Sequence, residues 1–96
     1  MPAGWVCITS DRPNGILYVG VTNDVRRRVT EHKERLIRSF TLHHELKLLI
    51  YAERHENMVS ATQREKNVKH WARAWNVRLV GQQNRDWNDL MEFLPF

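Results

Sequence analysis

The sequence predicts an α+β fold: a small antiparallel three-stranded sheet flanked by helices, in the order β-β-α-β-α-α. Three observations carry that expectation. Residues 1–21 read as a β-hairpin, a short run of strand formers stands alone in mid-chain, and stretches with helical spacing lie on both sides of it.

The first strand is Trp5-Val6-Cys7-Ile8-Thr9, rich in β-branched and aromatic residues. Asp11 to Gly15 follows, with two turn signals in Pro13 and the pair Asn14-Gly15. Ile16 to Val21 is the second strand. Alternation puts Leu17, Val19 and Val21 on one face and Ile16, Tyr18 and Gly20 on the other. Thr22 or Asn23 can cap a helix starting near Asp24 and running to about Leu36. Phe40 to Glu45 reads as a loop and Leu48 to Glu53 as the third strand. Glu56 and Asn57 precede a second helix from Met58 to about Trp71. After a bend a third helix reaches Gln83, Asn84-Arg85-Asp86 breaks it, and Trp87 to Phe93 forms a short last helix.

The length of 96 residues fits one domain spanning 1–96. A single cysteine, Cys7, excludes an internal disulfide and a cysteine-built metal cluster, and it suits a reducing, cytoplasmic compartment. The start Met1-Pro2-Ala3-Gly4 has no basic region leading into a long apolar run, so no signal peptide is expected. The longest apolar stretch, Leu48 to Ala52, is far too short to span a bilayer, and no membrane partner is expected. The net charge of +4 is unevenly spread: residues 24–47 carry +3, residues 61–80 carry +4, and the last sixteen carry −2. Two basic segments suit a polyanion, and nucleic acid is the natural candidate.

Two polar residues interrupt apolar helix faces. On the first helix Val25, Val29, His32 and Leu36 share a face, and Arg28 borders it one turn before His32. An arginine there can grip a phosphate in a partly dry cleft. On the second helix Ala61, Glu65, Val68 and Ala72 share a face with Glu65 in its middle. A carboxylate so placed must be neutral, paired or bound to a metal. An ion pair with Arg28 and a site for Mg²⁺ or Mn²⁺ are both open. Trp71, Trp75 and Trp87 are expected in the core rather than as surfaces for base stacking, and His43, His44, His55 and His70 as loop or surface residues.

Residues 17–32, LYVGVTNDVRRRVTEH, resemble the heart of a GIY-YIG nuclease domain, also called a URI domain, in its short standalone bacterial form. Tyr18-Val19-Gly20 corresponds to the YIG half-motif. Arg28 stands ten residues after the tyrosine, where the family keeps its catalytic arginine, and His32 follows four later. Arg64-Glu65-Lys66 resembles the segment of the family's metal-binding glutamate, and Asn84 its C-terminal asparagine. The resemblance implies a DNA-hydrolysing endonuclease that uses Mg²⁺ or Mn²⁺. Tyr18, Arg28, His32 and Glu65 would be catalytic, with Glu65 on the metal. Gly20, Arg27, Lys66, Lys69 and Asn84 would meet the substrate. One departure is plain: the GIY tyrosine, eleven residues before Tyr18, is Cys7 here. Either Tyr18 or His32 does the work alone, or the domain binds nucleic acid with little or no cleavage.

Overall fold

A computed structural model describes residues 3–28, 30 and 48–93, with the side chains of 92 and 93 set aside. Strand β1 (Gly4–Ser10) turns into β2 (Leu17–Thr22). The described part of helix α1 is residues 25–28 and 30. Then come β3 (Leu48–His55), α2 (Met58–His70), α3 (Arg73–Gln83) and a closing 3-10 turn over Leu90–Phe93. The expected order β-β-α-β-α-α stands, on an antiparallel sheet ordered β2-β1-β3.

The hairpin turn is built by short polar side chains. Asn14 takes the left-handed φ of 61° and Gly15 N–H closes on Arg12 O at 3.0 Å. The Asp11 carboxylate accepts from Ile16 N–H at 3.0 Å and fixes the entry to β2. A Cβ on Gly15 would come within 2.1 Å of that carboxylate, so glycine is needed here for space. Cys7 pairs with Gly20 and Thr9 with Tyr18; β1 pairs with β3 through a bulge after Ile8 that leaves Ile50 extra.

Each face of the sheet has its own core. On the back face Ile8, Ile50, Tyr51, Val68, Val80 and Trp87 pack together, joined by Leu17 and Val19. On the front face Cys7, Val25 and Leu49 pack together, joined by Trp5, Leu90 and Met91. So α1 covers the front and α2 with α3 the back, and the expected alternation along β2 holds.

Local differences from the expected elements have local causes. Asp24 caps α1 through Arg27 N–H at 3.1 Å, while Thr22 Oγ1 receives Asp24 N–H at 3.1 Å; the cap lies one residue beyond Asn23 and two beyond Thr22, the two expected from sequence. Asn57 caps α2 through Ser60 N–H at 2.9 Å. Helix α2 stops at His70 because Trp71 and Ala72 turn extended, so Ala72 leaves the buried stripe and is exposed. Arg73 then donates to Asn14 O at 3.0 Å, tying the start of α3 to the hairpin turn. The last turn begins only at Leu90, because buried Trp87 adopts φ 55° and Asn84 holds the segment before it.

His32, Val29, Leu36, the segment Phe40–Glu45, and His43 and His44 lie outside the described residues. No described helix is long and apolar enough to cross a membrane.

Candidate active site

The pairing of Cys7 with Gly20 and of Thr9 with Tyr18 sets Cys7, Gly20 and Tyr18 on the front face, because cross-strand partners share a side. Tyr18 is 38% exposed. A Cβ built on Gly20 meets nothing of the described residues within 4 Å, so none of them fills the space beside Tyr18. Arg28, four residues into α1 from the cap, is exposed. Its charge is felt at Cys7, where burial pushes the thiol up to about 11 and the guanidinium works against that rise. Arg28 is thus near enough to the front core for its charge to act at Cys7. Arg27 turns aside, with its guanidinium on Asn23 Oδ1 at 3.2 Å.

Glu65 comes from the other side. It is buried with Ala61 and Val68 on the stripe of α2 that faces the back of the sheet. Arg64 reaches Glu53 of β3 at 3.1 Å. One residue is about 100° of helix, so Glu65 leans away from β3 towards β2, the outer strand. Tyr18 and Arg28 occupy the front, and Glu65 stands behind the edge of the same strand. The Arg28 pair considered from sequence is not the one that forms: Lys69 Nζ lies 2.8 Å from Glu65 Oε1. Lys66 is exposed on the same helix.

A divalent metal fits Glu65 in one limited way. Among the described residues no three His, Cys, Asp or Glu side chains cluster as a cage. A single carboxylate still suits Mg²⁺, which keeps several waters and asks the protein for one or two ligands. Lys69 Nζ lies on Oε1, so a metal ion there would share the carboxylate with the ammonium or displace it.

Asn84 does not face the front, and the expected substrate contact needs correcting. It is buried, and its amide donates to Ile50 O at 3.0 Å and Asn88 O at 2.8 Å while accepting from Asn88 N–H at 3.0 Å. Both donors are spent on backbone, so Asn84 is a clasp between β3 and the final segment.

With this geometry in hand, the family profile of the GIY-YIG catalytic domain matches residues 3–78. The chain belongs to the GIY-YIG family. A UPF0213 protein of Natronomonas pharaonis is 36% identical over 67 residues, 70% of this chain and 79% of that protein. The solution structure of a UPF0213 protein of Bacillus halodurans superposes with a TM-score of 0.54 at 23% identity, over 91% of this chain and 92% of that one. That second likeness is one of fold. The GIY-YIG domain supplies a nuclease-type scaffold, and Tyr18-Val19-Gly20 is its second half-motif in this chain.

Sequence reading of the GIY-YIG domain missed two further groupings. Glu53 receives Tyr51 OH at 2.6 Å, His55 at 2.5 Å and Arg64 at 3.1 Å. Burial pushes the Glu53 carboxyl up, but these three partners outweigh it and hold it below its ordinary range. Burial first, then the bond to Glu53, pushes the Tyr51 phenol well above its ordinary range. His55, expected as a loop or surface residue, closes β3 and is half-buried. The i, i+2, i+4 spacing of Tyr51, Glu53 and His55 was the available signal. The second grouping is at Trp75, expected in the core but 58% exposed; Trp87 is buried as expected and Trp71 is half-buried.

Proposed function

We propose that the chain, as one domain over 1–96, is a cytoplasmic, divalent-metal-dependent endonuclease that hydrolyses DNA phosphodiester bonds. What carries the reading is exposed Tyr18 with Gly20 on one face of the sheet, and Arg28 near enough for its charge to act at Cys7 on that face, in a chain of the GIY-YIG family. The scissile phosphate lies against the space at Gly20, where no described side chain blocks approach. Arg28 donates to its oxygens, and that contact strengthens as negative charge builds in the transition state. Tyr18, aided by His32, orients the attacking water and takes its proton; a phenol is a useful base at neutral pH only with cations close by. Mg²⁺ or Mn²⁺ held by Glu65 would supply positive charge at the leaving oxygen. Because Glu65 stands behind the β2 edge, the strand being cut crosses that edge, with its phosphate in front and its leaving side towards α2. Arg27, Lys66 and Lys69 flank this path as phosphate contacts.

The test is cleavage of supercoiled and branched DNA with each metal by wild type, Glu65→Ala, Arg28→Ala and Tyr18→Phe. Wild type nicks, and each variant loses at least ~100-fold. Nicking that survives Glu65→Ala removes its metal role.

One observation favours a second reading, a binding module with little or no cleavage. Cys7 replaces the first tyrosine, and a thiol pushed up to about 11 stays protonated at neutral pH and cannot act as a base. That reading predicts salt-dependent DNA binding in EDTA and no cleavage on adding metal.

A further inference from the structure

On the flank of α2 turned away from Glu65, a groove of about 520 Å³ runs between α2 and α3. Trp71 and Trp75 line it, and each carries a guanidinium: Arg64 sits 5.0 Å from the Trp71 ring centre and Arg78 5.7 Å from that of Trp75. Arg64 is held from behind by Glu53 at 3.1 Å, so the first stack is fixed in place. The second is open, with Trp75 58% exposed on a helix whose neighbours bury much smaller side chains. Among the described residues no acidic side chain lines the groove. Residues 58–83 carry five Lys/Arg against one acid, and that acid, Glu65, faces the other flank.

We infer that this groove is a subsite for single-stranded nucleic acid, with a base stacked on Trp75 and the adjoining phosphate on Arg78. An indole left in water beside a guanidinium is a poor way to finish a core and a good way to hold a base, since every base has a π-face and the backbone beside it is anionic. Duplex DNA hides its base faces, so the preference is for unpaired strands. The inference names the form of the polyanion and to that extent rests on the nuclease reading, but the two can fail separately.

The test is fluorescence anisotropy of a labelled oligothymidylate in EDTA, with a base-free strand of equal length and a duplex alongside. Trp75→Ala weakens oligothymidylate binding by about tenfold or more, Trp75→Phe restores most of it, and both variants keep the wild-type melting temperature. Arg78→Gln weakens binding less and lowers the salt slope by about one charge. Wild type binds the base-free strand and the duplex more weakly than oligothymidylate. Unchanged binding in Trp75→Ala overturns the inference, as does equal binding of the base-free strand. A dimer in sedimentation that Trp75→Ala dissolves, with DNA binding untouched, also overturns it and makes the groove a protein contact. Wild type that binds through Trp75 yet never cuts removes the enzyme and keeps the subsite.

Discussion

Gly4 and Gly20 lie on adjacent strands, yet a Cβ would meet opposite surroundings at the two. At Gly4, on the back, it comes within 2.7 Å of Ala61 Cβ and 3.0 Å of Asn57 O, so the start of α2 rests directly on the strand. At Gly20, on the front, it meets nothing of the described residues within 4 Å. Packing explains the first glycine and leaves the second unexplained. Neither has a positive φ, so backbone conformation does not demand glycine at either. The back of the sheet uses its missing side chain to close the core; on the front none of the described residues uses the space that Gly20 leaves.

Two alanine substitutions break or sharpen that contrast. Gly20→Ala should fold as well as wild type or slightly better, since alanine restricts the unfolded chain more than glycine does. Its DNA nicking should fall on the order of tenfold to a hundredfold if the phosphate sits where the methyl group goes. Gly4→Ala should do the reverse. The short contact to Ala61 costs roughly 1–3 kcal/mol, about 5–20 °C in melting temperature for a domain of this size, and the surviving folded fraction should cut at its normal rate. Thermal melts beside nicking assays read both. A Gly20→Ala variant that nicks like wild type would detach the front face from the chemistry.

The same division shows what was legible in the sequence. Every described strand and helix was visible, because hairpin chemistry and the 2.0 and 3.6 periodicities are local. Tyr18, Gly20 and Arg28 stand at the family's motif spacing in the sequence, and the register puts Tyr18 and Gly20 on one face. What escaped depends on tertiary placement. Lys69 rather than Arg28 meets Glu65, because α1 and α2 lie on opposite faces. Trp75 shares the i, i+4 spacing of a core pair with Trp71, but the break at Trp71-Ala72 resets the helix phase and turns Trp75 outward.

Asn84 is the residue where motif and structure part most clearly. Its side chain joins Ile50 O of β3 to Asn88, behind the front face rather than on it. Asn84→Ala should cost ~1–3 kcal/mol by leaving buried backbone groups unpaired. Asn84→Asp should cost more, because it sets a carboxylate against the Ile50 carbonyl. Urea unfolding measures both; an unchanged midpoint would return Asn84 to the list of substrate contacts.

Cys7 tests the front core from beneath. Its folded thiol is raised to about 11 against an ordinary 9.0, by burial opposed by Arg28. Below pH 9 both states are protonated and the contribution to stability is full. Between 9 and 11 the unfolded thiol ionises first, so stability falls by on the order of 2 kcal/mol. Cys7→Ala should lack that part of the alkaline decline. Iodoacetamide should label the native thiol slowly at pH 8, and Arg28→Ala should make it slower still by removing the opposing charge. Rapid labelling of native protein at pH 8 would contradict the burial of Cys7.

The smallest effect belongs to the back face, where an arginine is consumed by the fold instead of being offered to a ligand. Glu53 accepts from Tyr51, His55 and Arg64, and together they hold its carboxyl below the ordinary 4.5 despite burial. A depressed carboxyl contributes stability that is full above its unfolded value and lost as pH falls through the folded one. Wild type and Glu53→Gln should therefore differ most near neutrality and converge once pH has fallen through the lowered folded value. The gap should be small, under about 1 kcal/mol, because the cluster is partly open and screened by salt. It should narrow further in high salt. The Gln variant also leaves Arg64 without its carboxylate, so the cation on Trp71 becomes available to phosphate, and oligothymidylate should bind slightly tighter. Weaker binding instead would mean that Glu53 holds Arg64 in the pose the strand requires, and that the back-face carboxylate serves the groove as well as the core.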